Sequence, residues 1–252
     1  HEPSGDFERV KTALKDQWGI SDVELDFFQF NKLQKTLRKG NWAITVAIFK
    51  DHTATPPRII EIWPGLYEKG LFGLAIDLGS TTIAAHLTDL KSGDVIKSAG
   101  LMNPQIRFGE DLMSRVSYSM MNQGGDKEMT AVVREAINSL AEQLRTEAGI
   151  EKNSLVEVVF VCNPVMHHLL LGIDPIELGQ APFALASSNS IAVSASHLGL
   201  ETMNPSGRCY ILPCIAGHVG ADAAAVALSE EPNKSDDLVL VVDVGTNAEI
   251  LL

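Results

Sequence analysis

Two copies of one short pattern constrain this chain more than anything else in it. The first is Phe72-Gly73-Leu74-Ala75-Ile76-Asp77-Leu78-Gly79-Ser80-Thr81-Thr82-Ile83-Ala84-Ala85. An apolar run ends in an aspartate, a glycine turn follows, and hydroxyl residues lead into a second apolar run. The spacing predicts a β-hairpin. Gly79 supplies the freedom of a positive φ at the tip, and the backbone N–H groups with the Ser80, Thr81 and Thr82 hydroxyls converge as in an anion-binding nest. Asp77 stands beside that point, where it can hold a divalent cation bridging two phosphates. Taken alone, an Asp-x-Gly turn is equally what an ordinary hairpin needs. The second copy is Leu238-Val239-Leu240-Val241-Val242-Asp243-Val244-Gly245-Thr246-Asn247-Ala248-Glu249-Ile250-Leu251-Leu252, more than 160 residues further on. The repetition suggests two related halves facing one phosphate chain.

That pairing resembles the two phosphate motifs of the ATPase superfamily that joins sugar and acetate kinases, DnaK-type chaperones and actin. The rest of the chain fits such a scheme. Asp6 to Trp18 and Phe27 to Arg38 carry helical apolar stripes, and strands are predicted at Trp42 to Phe49 and Ile59 to Trp63. A small α/β unit over residues 1–70 results. Three consecutive strands follow, Phe72 to Asp77, Thr82 to Leu90 and Val95 to Leu101. A long amphipathic helix spans Asp126 to Ala148, and the nearly all-apolar Val156 to Val161 reads as a buried parallel strand. We expect a first ATPase half over 71–230 and the start of a second over 231–252. The overall expectation is an α/β chain, a ribonuclease H-like half-domain with a small α/β N-terminal domain, its second half truncated. His1 in place of an initiator methionine and a strand-like run at Leu252 lead us to expect an internal piece of a longer protein.

Other segments carry chemistry-bearing residues with two readings each. The loop Asn103-Pro104-Gln105-Ile106-Arg107 either contacts a ligand or satisfies its own backbone. His167 and His168 are adjacent, so they point about 100° apart on a helix and do not form a single-face metal pair; one is expected packed and one exposed. The small-residue helix after Pro213-Cys214-Ile215-Ala216-Gly217-His218-Val219-Gly220 implies close backbone packing. Its Asp222 reads either as an acid near a terminal phosphate or as a first-turn complement to the helix dipole. Cys162, Cys209 and Cys214 are three in number and contain no Cys-x-x-Cys pair, which argues for buried structural thiols over a cluster or disulfide scaffold.

A net charge of −12 without a basic cluster argues against nucleic acid and anionic membrane as partners. No apolar run reaches the roughly 20 residues needed to span a bilayer, and a signal-peptide pattern is lacking, so a cytoplasmic protein is expected.

Taken in order, Gly73 to Thr82, Asn103-Pro104-Gln105 with Phe108-Gly109-Glu110-Asp111, Asn163-Pro164-Val165-Met166-His167-His168, Ala181-Pro182-Phe183, Leu212 to Asp222, and Val242 to Glu249 resemble the reductive activators of corrinoid proteins. These are ferredoxin-like proteins with an ATPase domain of the actin/chaperone/sugar-kinase type. The resemblance implies an ATP-dependent activator. It passes an electron from a [2Fe–2S] cluster to a corrinoid (cobalamin-binding) methyltransferase component, taking Co(II) to Co(I). By the same motif match, Asp77 and Asp243 organise Mg²⁺, Gly79, Ser80, Thr81 and Thr82 with Gly245, Thr246 and Asn247 hold the phosphates of ATP, and Asp222 orients the attacking water. Asp77 and Asp222 are the catalytic candidates. Ser80 stands where threonine is usual in that family and keeps the hydroxyl. The cluster would belong to an N-terminal part of the parent protein, and the adenosine-binding part of the second half would lie beyond Leu252, leaving this piece inactive alone. A small-molecule kinase of the same superfamily and a non-catalytic module docking a corrinoid protein remain as alternatives, and a homodimer is compatible with the sequence.

Overall fold

Alternation along Phe72–Leu78 decides the architecture. Leu74, Ile76 and Leu78 turn one way and are buried, while Ala75 and Asp77 turn the other way and keep solvent contact. In the computed structural model, which describes residues 4–50, 56–244 and 248–251, this segment is the fourth strand and the centre of a six-stranded sheet.

The chain opens with α1 (Asp6–Trp18), β1 (Glu24–Leu25), α2 (Phe27–Lys39), β2 (Ile44–Phe49) and β3 (Arg58–Pro64). The sheet here has the order β1-β3-β2, with β1 parallel and β2 antiparallel to β3. Val10, Leu14, Leu33 and Leu37 of the helices close over Val23, Leu25, Ile59 and Ile62. Both helices end on glycine as the sequence suggests; Gly19 adopts φ 67°, the left-handed cap that a side chain would strain.

Next come β4 (Phe72–Leu78), β5 (Thr82–Asp89), β6 (Val95–Met102), α3 (Leu112–Met121), α4 (Gly125–Glu147), β7 (Leu155–Cys162), α5 (Pro164–Leu171), β8 (Ile191–Ser194), β9 (Arg208–Ile211) and α6 (Ala221–Glu230). Their sheet runs β6-β5-β4-β7-β9-β8, an antiparallel meander continued by the parallel strands β7 and β9 and closed by an antiparallel edge. This is the ribonuclease H-like α/β half-domain expected from the sequence. Met129, Val133, Ile137, Leu140 and Leu144 of α4 pack on the face carrying Leu74, Ile76, Leu78, Ile83 and Leu87, and each of the five helix side chains is no more than 1% exposed. Burial on this scale is worth roughly 1.5–3 kcal/mol per large apolar side chain. The hairpin of β10 (Val241–Val244) and β11 (Ala248–Leu251) pairs Asp243 with Glu249.

The two sheets are joined by contacts between segments far apart in the sequence. Ala47 and Ile60 pack on Val156, with Phe49, Trp63 and Leu71 around them. Beside this apolar contact lies a buried polar network. Glu61, 1% exposed, is ion-paired with Lys32 and accepts a 2.8 Å hydrogen bond from Asn204 Nδ2. Asn204 Nδ2 also donates to the Asn153 carbonyl, and its Oδ1 accepts the Ser206 N–H. Ser206 Oγ donates to Asp26 Oδ1 at 2.7 Å, the same oxygen that caps α2 through the Phe28 N–H, and Gln29 Nε2 donates to Ser206 Oγ and to the Ile60 carbonyl. Of these groups Gln29 Oε1 is buried without a hydrogen-bond partner, so the network is stabilising through the bonds that its other members make.

Replacing Asn204 by Ala strands Glu61 Oε2 and the Ser206 N–H together, while Glu61 Oε1 keeps Lys32 and the Ile62 N–H. The expected loss is about 2–3 kcal/mol of unfolding free energy, read from the urea midpoint. A change below about 0.5 kcal/mol, the scale of an ordinary surface substitution, would show that the network does not hold the two sheets together.

Candidate functional site

The turn between β4 and β5 is shaped by close approach rather than by backbone handedness. Gly79 does not adopt a positive φ, contrary to expectation; it is required because a Cβ there would lie 2.6 Å from the Thr82 carbonyl oxygen. Ser80 is 9% exposed, whereas Thr81 and Thr82 are exposed at the tip.

Three successive carbonyls of this turn are held by buried donors. Asn103 Nδ2 donates to the Gly79 carbonyl at 2.8 Å, and the Asn103 N–H donates to the Thr81 carbonyl at 2.8 Å. Between them the Arg115 guanidinium donates to the Ser80 carbonyl at 2.5 Å. Arg115 is 0% exposed and donates further to the Gly109 carbonyl and to Gln105 Oε1, with Met166 Sδ alongside. Gln105 in turn donates to the Met129 carbonyl of α4, which ties the turn to the main core. Burial lowers the Arg115 pKa to about 10, opposed by the charge of Asp111; the group remains cationic at neutral pH.

Acidic groups gather on the other side of the turn. Asp77 lies on β4 opposite Ala84 and Val161, on the face away from α4. Asp222 lies in the first turn of α6, where its Oδ1 accepts the Ala223 N–H at 3.0 Å. Gly220 lets this helix start against the end of β7: a Cβ there would come within 2.5 Å of the Cys162 carbonyl and of the Asn163 Cα. The Asp77 pKa is raised, first by burial and then by the charges of Asp222 and Asp243, with His86 opposing. Burial and the charge of Asp243 raise the pKa of Asp222 as well, against hydrogen bonds from the backbone. The fold thus brings Asp77, Asp222 and Asp243 from three distant segments into one electrostatic neighbourhood. Among the described residues no group of three or more His, Cys, Asp or Glu side chains is set as a ready-made metal cage. Two carboxylates completed by phosphate oxygens and water suit Mg²⁺. Gly245, Thr246 and Asn247 lie outside the described residues.

Two readings of the sequence change here. His167 and His168 are both buried, at 0% and 2% exposed, because α5 is packed on every side and no face of it reaches solvent. His168 Nδ1 lies 2.9 Å from the Pro164 carbonyl, and its Nε2 accepts the Ala186 N–H, which fixes a neutral ring; burial lowers the His167 pKa to about 4. Asn103 and Gln105 are buried connectors of the turn rather than a loop that bonds only to itself, while Arg107 stays exposed against Phe108. Arg115 was invisible to periodicity, since every acceptor it uses comes from another segment. The three cysteines are free and buried, as expected, and desolvation raises the pKa of each.

Comparison with known proteins gives consistent relatives. Residues 72–235 match the RACo middle region and residues 1–69 the RACo linker region. Corrinoid activation enzyme RamQ of Eubacterium limosum is 32% identical over 194 residues, covering 77% of this chain and 32% of RamQ. The [Co(II) methylated amine-specific corrinoid protein] reductase of Methanosarcina barkeri is 25% identical over 191 residues, covering 72% of this chain and 34% of its own length. The solved structure of a reductive activator for corrinoid, iron-sulfur protein superposes with a TM-score of 0.86 at 33% identity, over 99% of this chain and 39% of that one. The chain therefore spans about a third of the length of the curated relatives it matches. With both of its regions matched in order and its fold shared with a solved activator, the chain belongs to the family of reductive activators of corrinoid proteins.

Proposed function

We propose that this chain supplies one phosphate-binding half of an ATP-dependent activator that reduces the cobalt of a corrinoid protein from Co(II) to Co(I). The single observation that carries the proposal is the convergence of Asp77, Asp222 and Asp243 beside the β4–β5 turn, in a chain whose relatives are named for acting on corrinoid proteins. On this reading residues 1–70, 71–230 and 231–252 are the linker unit, the first ATPase half and the start of the second. The linker unit is fastened to the ATPase half through Glu61, Asn204 and Ser206.

In the proposed site, the Gly79–Thr82 turn and residues Gly245, Thr246 and Asn247 receive the phosphate chain from its two sides. Asp77 and Asp243 hold Mg²⁺, which when bound neutralises the charge that develops on the phosphates. Asp222 orients the attacking water, and the surroundings that raise its pKa also make it a better base. A [2Fe–2S] cluster needs four ligands of the cysteine type, and this chain has three cysteines, all buried. Its residues do not fit the cluster, so we assign electron delivery to another part of the longer protein and derive no step through it here.

The full natural chain, with its corrinoid partner and an electron donor, should form Co(I) only with Mg·ATP present, followed by the loss of the Co(II) absorption. Asp222→Asn should slow ATP-dependent reduction by about 10²–10⁴-fold, the usual worth of a general base, with nucleotide affinity changed less than tenfold. Co(I) formation at the same rate without nucleotide would contradict the proposal.

The raised carboxylates give a second prediction, with the sign as follows. Without metal, each ionised aspartate opposes folding at pH values above its raised pKa. That penalty disappears as the pH falls through the raised value towards the ordinary 3.8. Mg²⁺ should therefore raise the melting temperature more at pH 7 than at pH 4. Asp77→Asn should raise the melting temperature of the metal-free protein at pH 7 and shrink the Mg²⁺ effect. An Mg²⁺ effect independent of pH, or unchanged in Asp77→Asn, would remove Asp77 from the cation site.

A further inference from the structure

We propose that Arg115, together with Asn103, is the positioning device of the β4–β5 turn, setting its peptide planes for an anion that neither side chain touches. The inference rests on the phosphate-site reading above and adds to it the residues that aim the site.

The reasoning starts from peptide geometry. In a trans peptide the carbonyl of one residue and the N–H of the next point in opposite directions. The carbonyls of Gly79, Ser80 and Thr81 all turn towards donors on Asn103 and Arg115, both 0% exposed. The N–H groups of Ser80 and Thr81, which follow the Gly79 and Ser80 carbonyls, therefore face away from Asn103 Nδ2 and the Arg115 guanidinium, the side on which successive N–H groups form an anion nest. A short glycine turn has many peptide orientations of similar energy. Fixing three of them by hydrogen bonds from rigid elements selects one, before any ligand arrives.

The choice of arginine follows from the acceptors. One planar fork reaches the Ser80 carbonyl, the Gly109 carbonyl and Gln105 Oε1 at once, which a lysine point charge does not reproduce. Among the described residues its hydrogen bonds go to neutral groups, while Asp111 acts on it only through its charge. A cation buried this way behind the turn, without a bonded carboxylate, favours negative charge in front of it.

Arg115→Lys keeps the charge and loses the fork, and Asn103→Ala removes one donor without touching the guanidinium. Two readouts apply to the full natural chain. In nucleotide-free protein, hydrogen exchange at the residue-103 N–H, which bonds the Thr81 carbonyl, should quicken by about tenfold in either variant, the scale of one hydrogen bond, with β7 and α4 protected as before. Calorimetry should show the Kd for Mg·ATP weakened by about tenfold on the same scale, while the Kd for adenosine is unchanged. Exchange that quickens evenly across the sheet, or not at all at residue 103, would overturn the proposal and leave Arg115 a general stabiliser. If wild type does not bind Mg·ATP, the phosphate reading fails separately and the exchange readout still decides whether Arg115 sets the turn.

Discussion

Parallel pairing of β4 with β7 is the constraint on which the candidate site depends. The register sets Asp77 against Val161 and Leu78 against Cys162, so both strands end at the same level. β9 joins β7 in parallel through Phe160 and Ile211, and the chain leaving it returns through Gly220 to start α6 against the Cys162 carbonyl. Asp77, Asn163 and Asp222 are thereby carried to one edge of the sheet. That edge is where open α/β sheets bind ligands, since successive connections leave the strand ends in diverging directions and open a crevice there. A one-residue slip of β4 would turn Asp77 into the core and Leu78 outward; the buried alternation of Leu74, Ile76 and Leu78 forbids it.

Around that edge the molecule separates the groups that hold from the groups that act. Apolar packing of α4 on the sheet holds β4 in place, and Gln105 passes that rigidity to the turn by bonding the backbone of α4. Arg115 and Asn103 spend most of their donors on backbone carbonyls, and the charges of Asp222 and Asp243 act on Asp77. Desolvation first, then the charge of neighbouring carboxylates, raises the pKa of Asp77 and of Asp222, a strain that a bound divalent cation relieves. Local groups that oppose folding while the surrounding core tolerates them are characteristic of ligand sites.

Much of this was legible in the sequence, and the exceptions share one cause. Strands β4, β5 and β7 show in the alternation or continuity of their apolar residues, α4 shows in its 3.6-residue stripe, and the repeated Asp-x-Gly marked both hairpins. Each of these is a property of contiguous residues. The two-residue β1 is too short to carry a period. Arg115 reads as an ordinary polar residue of α3, because its acceptors sit at residues 80, 105 and 109. Glu61, Asn204 and Ser206 make sense only once two sheets are in contact. The histidine pair was misread for the related reason that helical periodicity assigns one face to solvent, and α5 has no such face. Gly79 was identified for the wrong property: space, set by the Thr82 carbonyl across the turn, matters there and handedness does not.

The central claim is that Asp77 and Asp243, from separate hairpins, serve one Mg·nucleotide site. A double-mutant cycle on Mg·ATP affinity, measured by calorimetry on the full natural chain with Asp77→Asn, Asp243→Asn and the pair, tests it most directly. The account predicts that each single change weakens binding by at least about tenfold and that the double change costs clearly less than the sum, since the two carboxylates act as a unit. Wild-type affinity in either single variant, or strictly additive losses, would contradict it.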